Sequence, residues 1–320
     1  MIKAGIIGAA GYTAGELIRI LIHHPEVEIT LAQSGSQSGK LLSEVHQDLI
    51  GETGLSFSEE INKNLDVVFL CKGHGESVRI IKENPFLLNK KVIDLSQDFR
   101  LKGTHDFTYG LPELNRDRLR VAKHIANPGC FATSIQLGLL PAIQAGLVDS
   151  EISISGITGS TGAGQSLSST SHFSWRSNNA SVYKPLRHQH LNEIGETIAS
   201  IATSFDQKLL FVPYRGAFTR GIITTSHFHT SCTEQELIEV YQKSYGDHPF
   251  THVVPKNPDL KQVIGSNKCL VYPQVIDGRV IIVSVIDNLL KGASGQAVQN
   301  MNLQFGLEET TGLKLKSIAF

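Results

Sequence analysis

Short apolar runs alternate with amphipathic helical segments along the first third of the chain. The pattern predicts strands over residues 3–8, 27–33, 66–71 and 91–95, with a helix over residues 13–24. The last two of these strands are almost continuously apolar, which is typical of strands covered on both faces of a sheet. This alternation of strand and helix predicts a parallel, doubly wound sheet of the Rossmann type.

The pattern changes after Pro128, where strands and helices no longer alternate regularly. Helices are predicted over residues 131–145, 190–204, 233–245 and 293–305, and strands over residues 151–158, 208–212, 220–229, 269–276 and 279–285. The chain is therefore predicted to be α/β, with a first domain over residues 1–129 onto which residues 290–320 pack back, and an α+β domain over residues 130–289. Residues 159–171, rich in Gly, Ser and Thr, predict a mobile loop.

Composition narrows the range of partners. The 320 residues include 29 basic and 30 acidic side chains that are mixed along the chain, so we expect a small-molecule partner and not nucleic acid. No apolar run is long enough to cross a bilayer, and the N-terminal segment lacks the features of a signal peptide. Four dispersed cysteines without a CxxC pair argue against a disulfide framework and a metal site, which favours the reducing cytoplasm.

A glycine-rich turn follows the first predicted strand. Its glycines have GxxGxxxG spacing, and such a turn can present backbone N–H groups and a helix N-terminus to a pyrophosphate. Glycines at a turn of this kind can also serve chain reversal alone, but their place in the first strand–helix unit favours a dinucleotide. The residues expected to contact it are Gly8, Ala10, Gly11, Tyr12 and Thr13.

The segment after the second predicted strand indicates which dinucleotide binds. NAD sites usually carry an Asp or Glu here, whereas residues 33–40 read QSGSQSGK. The missing carboxylate, together with Ser34, Ser36 and Lys40, predicts that the 2′-phosphate of NADP(H) is bound. The alternative is a solvated polar loop that touches no ligand.

Cys130 is the strongest candidate for a nucleophile. It follows Asn127-Pro128-Gly129 at the start of a predicted helix, where the helix dipole and free N–H groups would lower the pKa of its thiol and stabilise an oxyanion. The other cysteines lie in apolar segments or just before a helix, as small buried residues do. A thiol catalyst needs a partner for proton transfer, and His188 and His190 at the start of another predicted helix are the candidates.

These segments resemble the N-acetyl-γ-glutamyl-phosphate reductase family, which is related to aspartate-semialdehyde dehydrogenase. The resemblance covers nearly the whole chain. It is carried by the glycine turn, DLSQDFRL at 94–101, YGLPEL at 109–114, NPGCFAT at 127–133, GSTGAG at 159–164, the two histidines, RGI at 220–222 and IDNLLKGASGQA at 286–297.

The resemblance implies a reaction and further site residues. Cys130 would attack an acyl phosphate, phosphate would leave, and NADPH would reduce the thioester to a semialdehyde in arginine biosynthesis. His190 would be the general acid/base, with His188 as the second candidate. Additional cofactor contacts are expected at Ser160, Gly162, Asn288 and Gly292, and substrate contacts at Arg100, Glu113, Asn127 and Arg220. The family also implies a homodimer or a homotetramer.

The sequence departs from the family pattern at several positions. The glycine of the first helix often stands one position before Gly15, an Arg often stands where Gly35 is found, and Gly or Ala often stands in place of Ser134. Without that Arg, Lys40 and the neighbouring serines are left to bind the 2′-phosphate.

Three other functions are compatible with parts of the pattern. One is a semialdehyde dehydrogenase that acts on aspartyl or another acyl phosphate by the same cysteine chemistry. A second is a non-catalytic NADP-binding protein in which Cys130 is inert. A third is a cysteine hydrolase, which would leave the glycine turn without a purpose. The sequence also leaves the N-acyl group open between acetyl and succinyl.

Overall fold

The structure, a computed structural model, describes residues 1–319 as two compact units. The first unit holds residues 1–129 and 293–314, and the second holds residues 130–292 together with residues 315–319. Each unit has its own sheet. No helix within residues 1–319 has both the length and the apolar character that a membrane span requires.

The first unit is built on a six-stranded parallel sheet with the strand order β2-β1-β3-β4-β6-β5. Its strands are β1 (Ile2–Ile7), β2 (Val27–Gln33), β3 (Val67–Leu70), β4 (Lys91–Asp94), β5 (Thr108–Tyr109) and β6 (His124–Ala126). Its helices are α1 (Tyr12–Leu21), α2 (Leu42–Val45), α3 (Glu76–Glu83), α4 (Pro112–Val121) and, from the returning segment, α9 (Gly295–Gln304). The predicted parallel sheet of alternating strands and helices is confirmed.

Hydrophobic periodicity missed the last elements of this unit. Strands β5 and β6 contain two and three residues, which is too short for an alternating pattern. Half of the residues in helix α4 are charged, and the helix buries little beyond Pro112, Asn115 and Leu119. These elements complete the sheet on the side that leads into Cys130.

The second unit contains a seven-stranded mixed sheet with the strand order β11-β12-β13-β10-β7-β9-β8. Its strands are β7 (Ile152–Thr158), β8 (Ser181–Val182), β9 (Leu209–Arg215), β10 (Ile222–His229), β11 (Thr251–Val253), β12 (Cys269–Ile276) and β13 (Arg279–Ile286). Its helices are α5 (Cys130–Gln144), α6 (Phe173–Arg176), α7 (His190–Ile201) and α8 (Glu234–Tyr245). The α+β prediction is confirmed. Thr233 and Glu236 form a capping box at the start of α8.

Helix α5 forms the core of this unit, and every residue from 131 to 143 in it is buried. Pro141 lies inside the helix and has no N–H, so the carbonyl of Leu137 lacks its usual helical donor. The hydroxyl of Tyr245 on α8 donates to that carbonyl over 2.6 Å instead. Tyr241, one turn earlier, donates to the carbonyl of Gly138.

A cluster of buried hydroxyls joins α5 to the sheet. The Oγ atom of Ser134 lies 2.9 Å from Oγ1 of Thr224 on β10 and donates to the carbonyl of Ser284 on β13 over 3.3 Å. All three residues are at most 1% exposed. Because buried hydroxyls need partners, this cluster accounts for the serine at position 134.

The glycine-rich stretch after β7 packs closely against the backbone at Thr219. It contains 3₁₀ turns at Ser160–Ala163 and Ser169–Ser171. The hydroxyl of Thr161 donates to the carbonyl of Thr219 over 2.6 Å, and the same carbonyl lies 2.4 Å from where a Cβ on Gly159 would be. Gly159 permits this close backbone packing, and the mobility of the loop stays a prediction.

Candidate active site

Cys130 is the first residue of α5, as predicted, and is partly exposed. The chain approaches it closely at a π-helical turn over Leu290–Ser294. A Cβ placed on Gly292 would lie 2.9 Å from the Cβ of Cys130. Gly292 is thus required for packing against the cysteine, and its predicted contact with the cofactor remains a prediction.

The two predicted histidines lie together in the second unit, next to the residue that follows Cys130. The backbone N–H of His190 donates to Nδ1 of His188 over 3.3 Å, and the ring centroids are 4.5 Å apart. The ring of His188 meets the edge of Phe131 at 5.7 Å. Both histidines are buried.

The environment of His188 keeps its imidazole neutral. Burial, and then the positive charges of Lys184 and Arg215, lower the pKa of His188 to about 4. Because Nδ1 accepts the hydrogen bond from His190, the proton of the neutral ring is on Nε2. His188 therefore orients the backbone at His190 and is not a source of protons near neutral pH.

His190 has a different neighbour. Its Nε2 lies 3.8 Å from a carboxylate oxygen of Glu193, one turn along α7, and Glu193 is only 4% exposed. A buried carboxylate at this position can stabilise the positive charge on an imidazole that has accepted a proton. The arrangement favours His190 over His188 as the group that exchanges protons.

Two residues that the sequence did not single out lie beside this pair. The ring of Tyr183 is 5.6 Å from that of His188, and the guanidinium of Arg215 lies over the Tyr183 ring at 4.7 Å. Burial, and then the negative charge of Cys130, raise the pKa of Tyr183, so its hydroxyl stays protonated. Both side chains come from irregular positions, one after the short strand β8 and one at the end of β9, where no motif marks them.

The predicted substrate residue Arg220 is part of an ion pair. Its guanidinium lies 3.0 Å from a carboxylate oxygen of Asp287, which is fully buried. Asp287 also accepts from the backbone N–H groups of Gly265 and Leu289, each over 2.8 Å. In the structure Arg220 is the ion-pair partner of the buried Asp287. Contact between Arg220 and a substrate remains a prediction.

Asn288 connects three segments of the second unit. Its Oδ1 accepts from the backbone N–H of Gly221 over 2.7 Å, and its Nδ2 donates to the hydroxyl of Thr161 over 3.0 Å. These bonds hold the 3₁₀ turn that contains Ser160 and Gly162 against the start of β10. All three predicted cofactor residues in this region are thus within one hydrogen-bonded cluster, although the structure does not test their contact with a cofactor.

In the first unit, the glycine turn has the geometry that a pyrophosphate needs. Gly8 has φ +85°, and a Cβ there would lie 2.8 Å from the carbonyl of Cys71, so only glycine is tolerated. Gly11 is the N-cap of α1 and has no side chain to cap it. The helix has ten residues and begins with Tyr12 and Thr13. Its first N–H groups are therefore available to an anion.

A buried histidine holds this turn in place. Nε2 of His46 lies 2.7 Å from the carbonyl of Ala9, and the ring covers α1 at Gly15, where a Cβ would be 2.7 Å from Nδ1. The glycine at position 15 therefore makes room for the His46 ring. Sequence reasoning did not single out His46, because a lone histidine after a polar loop carries no recognisable pattern.

The residues predicted to bind the 2′-phosphate follow β2. Ser34 is 4% exposed and precedes a 3₁₀ turn over Gly35–Gln37 that includes Ser36. Lys40 is exposed, and its Nζ donates to the side-chain carbonyl of Gln37 over 3.0 Å. This set of two hydroxyls and a cation without a carboxylate suits a phosphate better than a ribose hydroxyl.

Two of the remaining substrate candidates in the first unit, Arg100 and Asn127, bind the backbone. Arg100 donates to the carbonyls of Asn127 and Leu95 over 2.9 and 3.0 Å. The side chain of Asn127 donates to the carbonyl of Ala293 and accepts from Asn300, so it fixes the segment that precedes Cys130. Glu113 lies in the first turn of α4. We therefore assign Arg100 and Asn127 a structural role first, and substrate contact by these three remains a prediction.

The described part of the chain, residues 1–319, contains no group of three or more His, Cys, Asp or Glu side chains arranged to hold a metal ion. The chemistry available at the site is that of a thiol at a helix start, an imidazole beside a buried carboxylate, and several cations. This combination suits nucleophilic attack on an activated acyl group.

Comparison with known proteins extends this description. The family model described as "Semialdehyde dehydrogenase, NAD binding domain" matches residues 3–122, and the one described as "Semialdehyde dehydrogenase, dimerisation domain" matches residues 130–288. The curated N-acetyl-gamma-glutamyl-phosphate reductase of Parabacteroides distasonis is 52% identical over 322 residues, with 100% of both chains covered. The protein of the same name from Flavobacterium johnsoniae is 53% identical over 327 residues, again with 100% of both chains covered.

Solved structures show the same fold at much lower identity. Aspartate semialdehyde dehydrogenase II of Vibrio cholerae, complexed with ASA, matches with a TM-score of 0.75 and 17% identity over 96% of this chain and 98% of its own. Aspartate semialdehyde dehydrogenase of Candida albicans with NADP matches with a TM-score of 0.68 and 16% identity over 95% of this chain and 98% of its own. At such identity the likeness supports the fold alone.

Proposed function

The chain belongs to the N-acetyl-γ-glutamyl-phosphate reductase family, and we propose that Cys130 and His190 are the groups that carry its reaction. The protein is an NADP(H)-dependent oxidoreductase that reduces an N-acyl-γ-glutamyl phosphate to the 5-semialdehyde in arginine biosynthesis. Full-length identity above half to reductases of this name argues against an aspartyl phosphate as the substrate. The observation that carries the residue assignment is the position of Cys130 at the start of α5, beside a histidine pair.

In the proposed mechanism, the thiolate of Cys130 attacks the acyl carbon and the carbon–oxygen bond to phosphate breaks. The start of α5 favours both the thiolate and the negative oxygen that develops on the acyl carbon. When bound, NADPH supplies the hydride that reduces the thioester. His190 donates a proton to the resulting oxygen through its ring and takes that proton back as the carbonyl re-forms and Cys130 leaves as a thiolate.

The first unit provides the residues that would hold the cofactor. The turn at Gly8 and Gly11 and the first N–H groups of α1 would bind the pyrophosphate, with Ala10, Tyr12 and Thr13 beside it. Ser34, Ser36 and Lys40 would bind the 2′-phosphate, because no carboxylate occurs between residues 33 and 40. In the second unit we propose Ser160, Gly162, Asn288 and Gly292 as further contacts.

Association of identical chains has a physical basis in the second unit, where α5 and α8 pack on the sheet and the segment around Leu260 and Val263 packs against Val283 on the other face. Side chains on the other face, among them Ile157, Val212, Thr225, Ile281 and Val283, are only partly buried. The family model for this unit is a dimerisation domain, which supports a homo-oligomer. We propose that this face is the interface of a homodimer or of a homotetramer, in the cytoplasm, where the free cysteines stay reduced.

The reverse reaction tests the proposed activity. NADPH formation is followed with NADP and phosphate, supplying N-acetyl-glutamate semialdehyde, N-succinyl-glutamate semialdehyde and aspartate semialdehyde in parallel. We expect phosphate-dependent formation with a glutamate derivative, and the ratio of the two derivatives gives the acyl preference. Activity with aspartate semialdehyde alone, or with NAD in preference to NADP, would contradict the proposal.

A further inference from the structure

Three cations lie close together at one end of the second unit's sheet. Arg215 is the last residue of β9 and pairs in register with Thr158 of β7. Thr158 pairs with Ile222 of β10, which pairs with Ile286, the residue before Asp287. Arg176 donates to the backbone carbonyl of Arg215 over 2.7 Å. The positive charges of Lys184 and Arg215 both lower the pKa of the same histidine, His188. We call Arg176, Lys184 and Arg215 the cation cluster.

The cation cluster has no compensating acid among the described residues, 1–319. Within residues 1–319, none of the three side chains has a carboxylate at ion-pair distance, in contrast to Arg220, which is paired with Asp287. Arg176 is 7% exposed, and its hydrogen bonds end on carbonyls and on the hydroxyl of Ser181. Nε of Arg215 is buried without a hydrogen-bond partner in the described chain. Like charges held together without an acid are unfavourable unless an anion joins them.

The backbone around the cluster is held in an unusual conformation. Lys184 has φ +46° and Leu186 has φ +57°, a region that residues other than glycine rarely adopt. Backbone bonds from Tyr183 to Pro213 and from Leu186 to Phe211, over 3.1 and 2.8 Å, fix this turn to β9. Strain of this kind persists where surrounding structure enforces it and is commonly found at functional sites.

The cluster lies beside the proposed nucleophile. The guanidinium of Arg215 covers the ring of Tyr183, which in turn contacts His188. His188 meets Phe131, the neighbour of Cys130. An anion bound by Arg215 is therefore held next to the reacting groups, in the same unit.

We propose that Arg215, supported by Arg176 and Lys184, binds an anionic oxygen group of the substrate, either a carboxylate or the phosphate. This inference rests on the proposed function, because the N-acyl-glutamyl phosphate carries both kinds of group. We expect Arg215 to make the main contact, since its planar guanidinium can donate two parallel hydrogen bonds to a carboxylate or to a phosphate.

The test compares Arg215→Gln with the wild-type enzyme in the reverse direction, varying the semialdehyde and phosphate separately. We expect the KM for one of them to rise about tenfold or more, because hydrogen bonds to charged groups are the strong ones. A higher KM for both semialdehydes would mean that Arg215 binds the α-carboxylate. A higher KM for the N-succinyl compound alone would mean that it binds the carboxylate of the acyl group, and a higher KM for phosphate would mean that it binds the phosphate. Arg215→Lys should recover part of the loss.

Arg279→Gln is the matched control, because Arg279 is exposed at the opposite end of the same sheet. It should leave both KM values within about twofold of wild type, since surface charges contribute little. Values within twofold for Arg215→Gln as well would overturn the inference. If wild-type enzyme shows no phosphate-dependent activity with either glutamate semialdehyde, the proposed function fails instead, so the two failures are distinguishable.

A binding measurement keeps the inference testable without turnover. Alkylation of Cys130 by iodoacetamide is followed with and without N-acetyl-glutamate or N-succinyl-glutamate. We expect these anions to protect the wild-type thiol and to protect it at least tenfold less well in Arg215→Gln, with the unprotected rate unchanged. A large fall in the unprotected rate would show that Arg215 acts on the thiolate itself, which would overturn the inference. If Arg215→Gln does not fold, the exposed Lys184→Gln replaces it, with a smaller loss of protection expected; unchanged protection would again overturn the inference.

Discussion

Nδ1 of His188 accepts a hydrogen bond from the backbone N–H of His190 over 3.3 Å, so two neighbouring histidines have separate roles. Burial and nearby cations lower the pKa of His188 to about 4, and the hydrogen bond fixes its remaining proton on Nε2. His190 has the buried Glu193 as a neighbour instead. We therefore propose that His188 is a positioning residue and that His190 exchanges protons.

This separation predicts different effects of the two substitutions. His190→Asn should lower kcat by roughly 10²- to 10⁴-fold and remove one limb of the pH–rate profile, because it removes the acid/base group. His188→Asn should lower kcat less and keep that limb, because Asn can still accept from the backbone. The pH dependence of kcat/KM for the three enzymes checks this. Loss of the limb in His188→Asn alone would reverse the assignment.

The lowered pKa of His188 also predicts how stability depends on pH. In the unfolded chain His188 takes up a proton below its usual pKa of 6.5, whereas in the folded chain its pKa of about 4 keeps it neutral to lower pH. Stability is therefore lost as the pH falls from 6.5 towards 4, by about 2 kcal/mol at pH 5.

Urea unfolding at pH 7.5 and pH 5 measures this loss. His188→Asn should show a smaller loss by about that amount, because Asn does not titrate and all other groups are shared with wild type. Exposed His229→Asn is the control and should keep the wild-type difference. An equal pH dependence in His188→Asn and wild type would contradict the lowered pKa.

Packing of His46 on the first helix predicts that Gly15→Ala impairs cofactor binding. The added Cβ would lie 2.7 Å from the His46 ring, so the ring must move and its bond to the carbonyl of Ala9 is lost. We expect a destabilisation of roughly 1–3 kcal/mol and a weaker affinity for NADPH, measured by fluorescence titration. Gly195→Ala is the control, because it has open space in α7 and should be neutral or stabilising.

The double variant Gly15→Ala/His46→Ala separates crowding from other effects. If the Cβ acts through the His46 ring, the two substitutions should not be additive, and the second should cost less in the presence of the first. Strict additivity of the two changes in stability would contradict direct contact.

The proline inside α5 predicts an unusually important tyrosine hydroxyl. Tyr245→Phe leaves the carbonyl of Leu137 without a donor, because Pro141 has no N–H to offer. Loss of one partner from a buried pair should cost about 1–3 kcal/mol, measured as a shift in the urea midpoint. Tyr272→Phe, a partly buried residue in β12, is the control. Equal, small effects of both would mean that another donor serves Leu137.

Much of the fold could be predicted from the sequence, because a long periodic segment of apolar residues can bury them in only one type of secondary structure. The continuous apolar run of β3 and the helix after Pro128-Gly129 both lie where the pattern predicts them. Short strands such as β5, and the polar helix α4, depend on tertiary packing that no local pattern records.

The candidate site divides in the same way. Cys130 and Gly8 occupy positions with strong local requirements, a helix start and a left-handed turn, and the sequence identified both. Tyr183, Arg215 and His46 act through contacts with residues distant in sequence, so their types alone gave no signal. Likewise, the engagement of Arg220 by Asp287 is visible only in three dimensions.

The most direct test of the account is a single-turnover experiment without phosphate. Enzyme is mixed with excess NADP and N-acyl-glutamate semialdehyde, NADPH is followed by its absorbance, and the protein is then digested for mass spectrometry. Because the thioester cannot be released without phosphate, we expect one NADPH per active site and an N-acyl-glutamyl adduct on the peptide that contains Cys130, with neither in Cys130→Ser. No burst, an adduct on another residue, or continued NADPH formation without phosphate would contradict a Cys130 thioester that is released by phosphate.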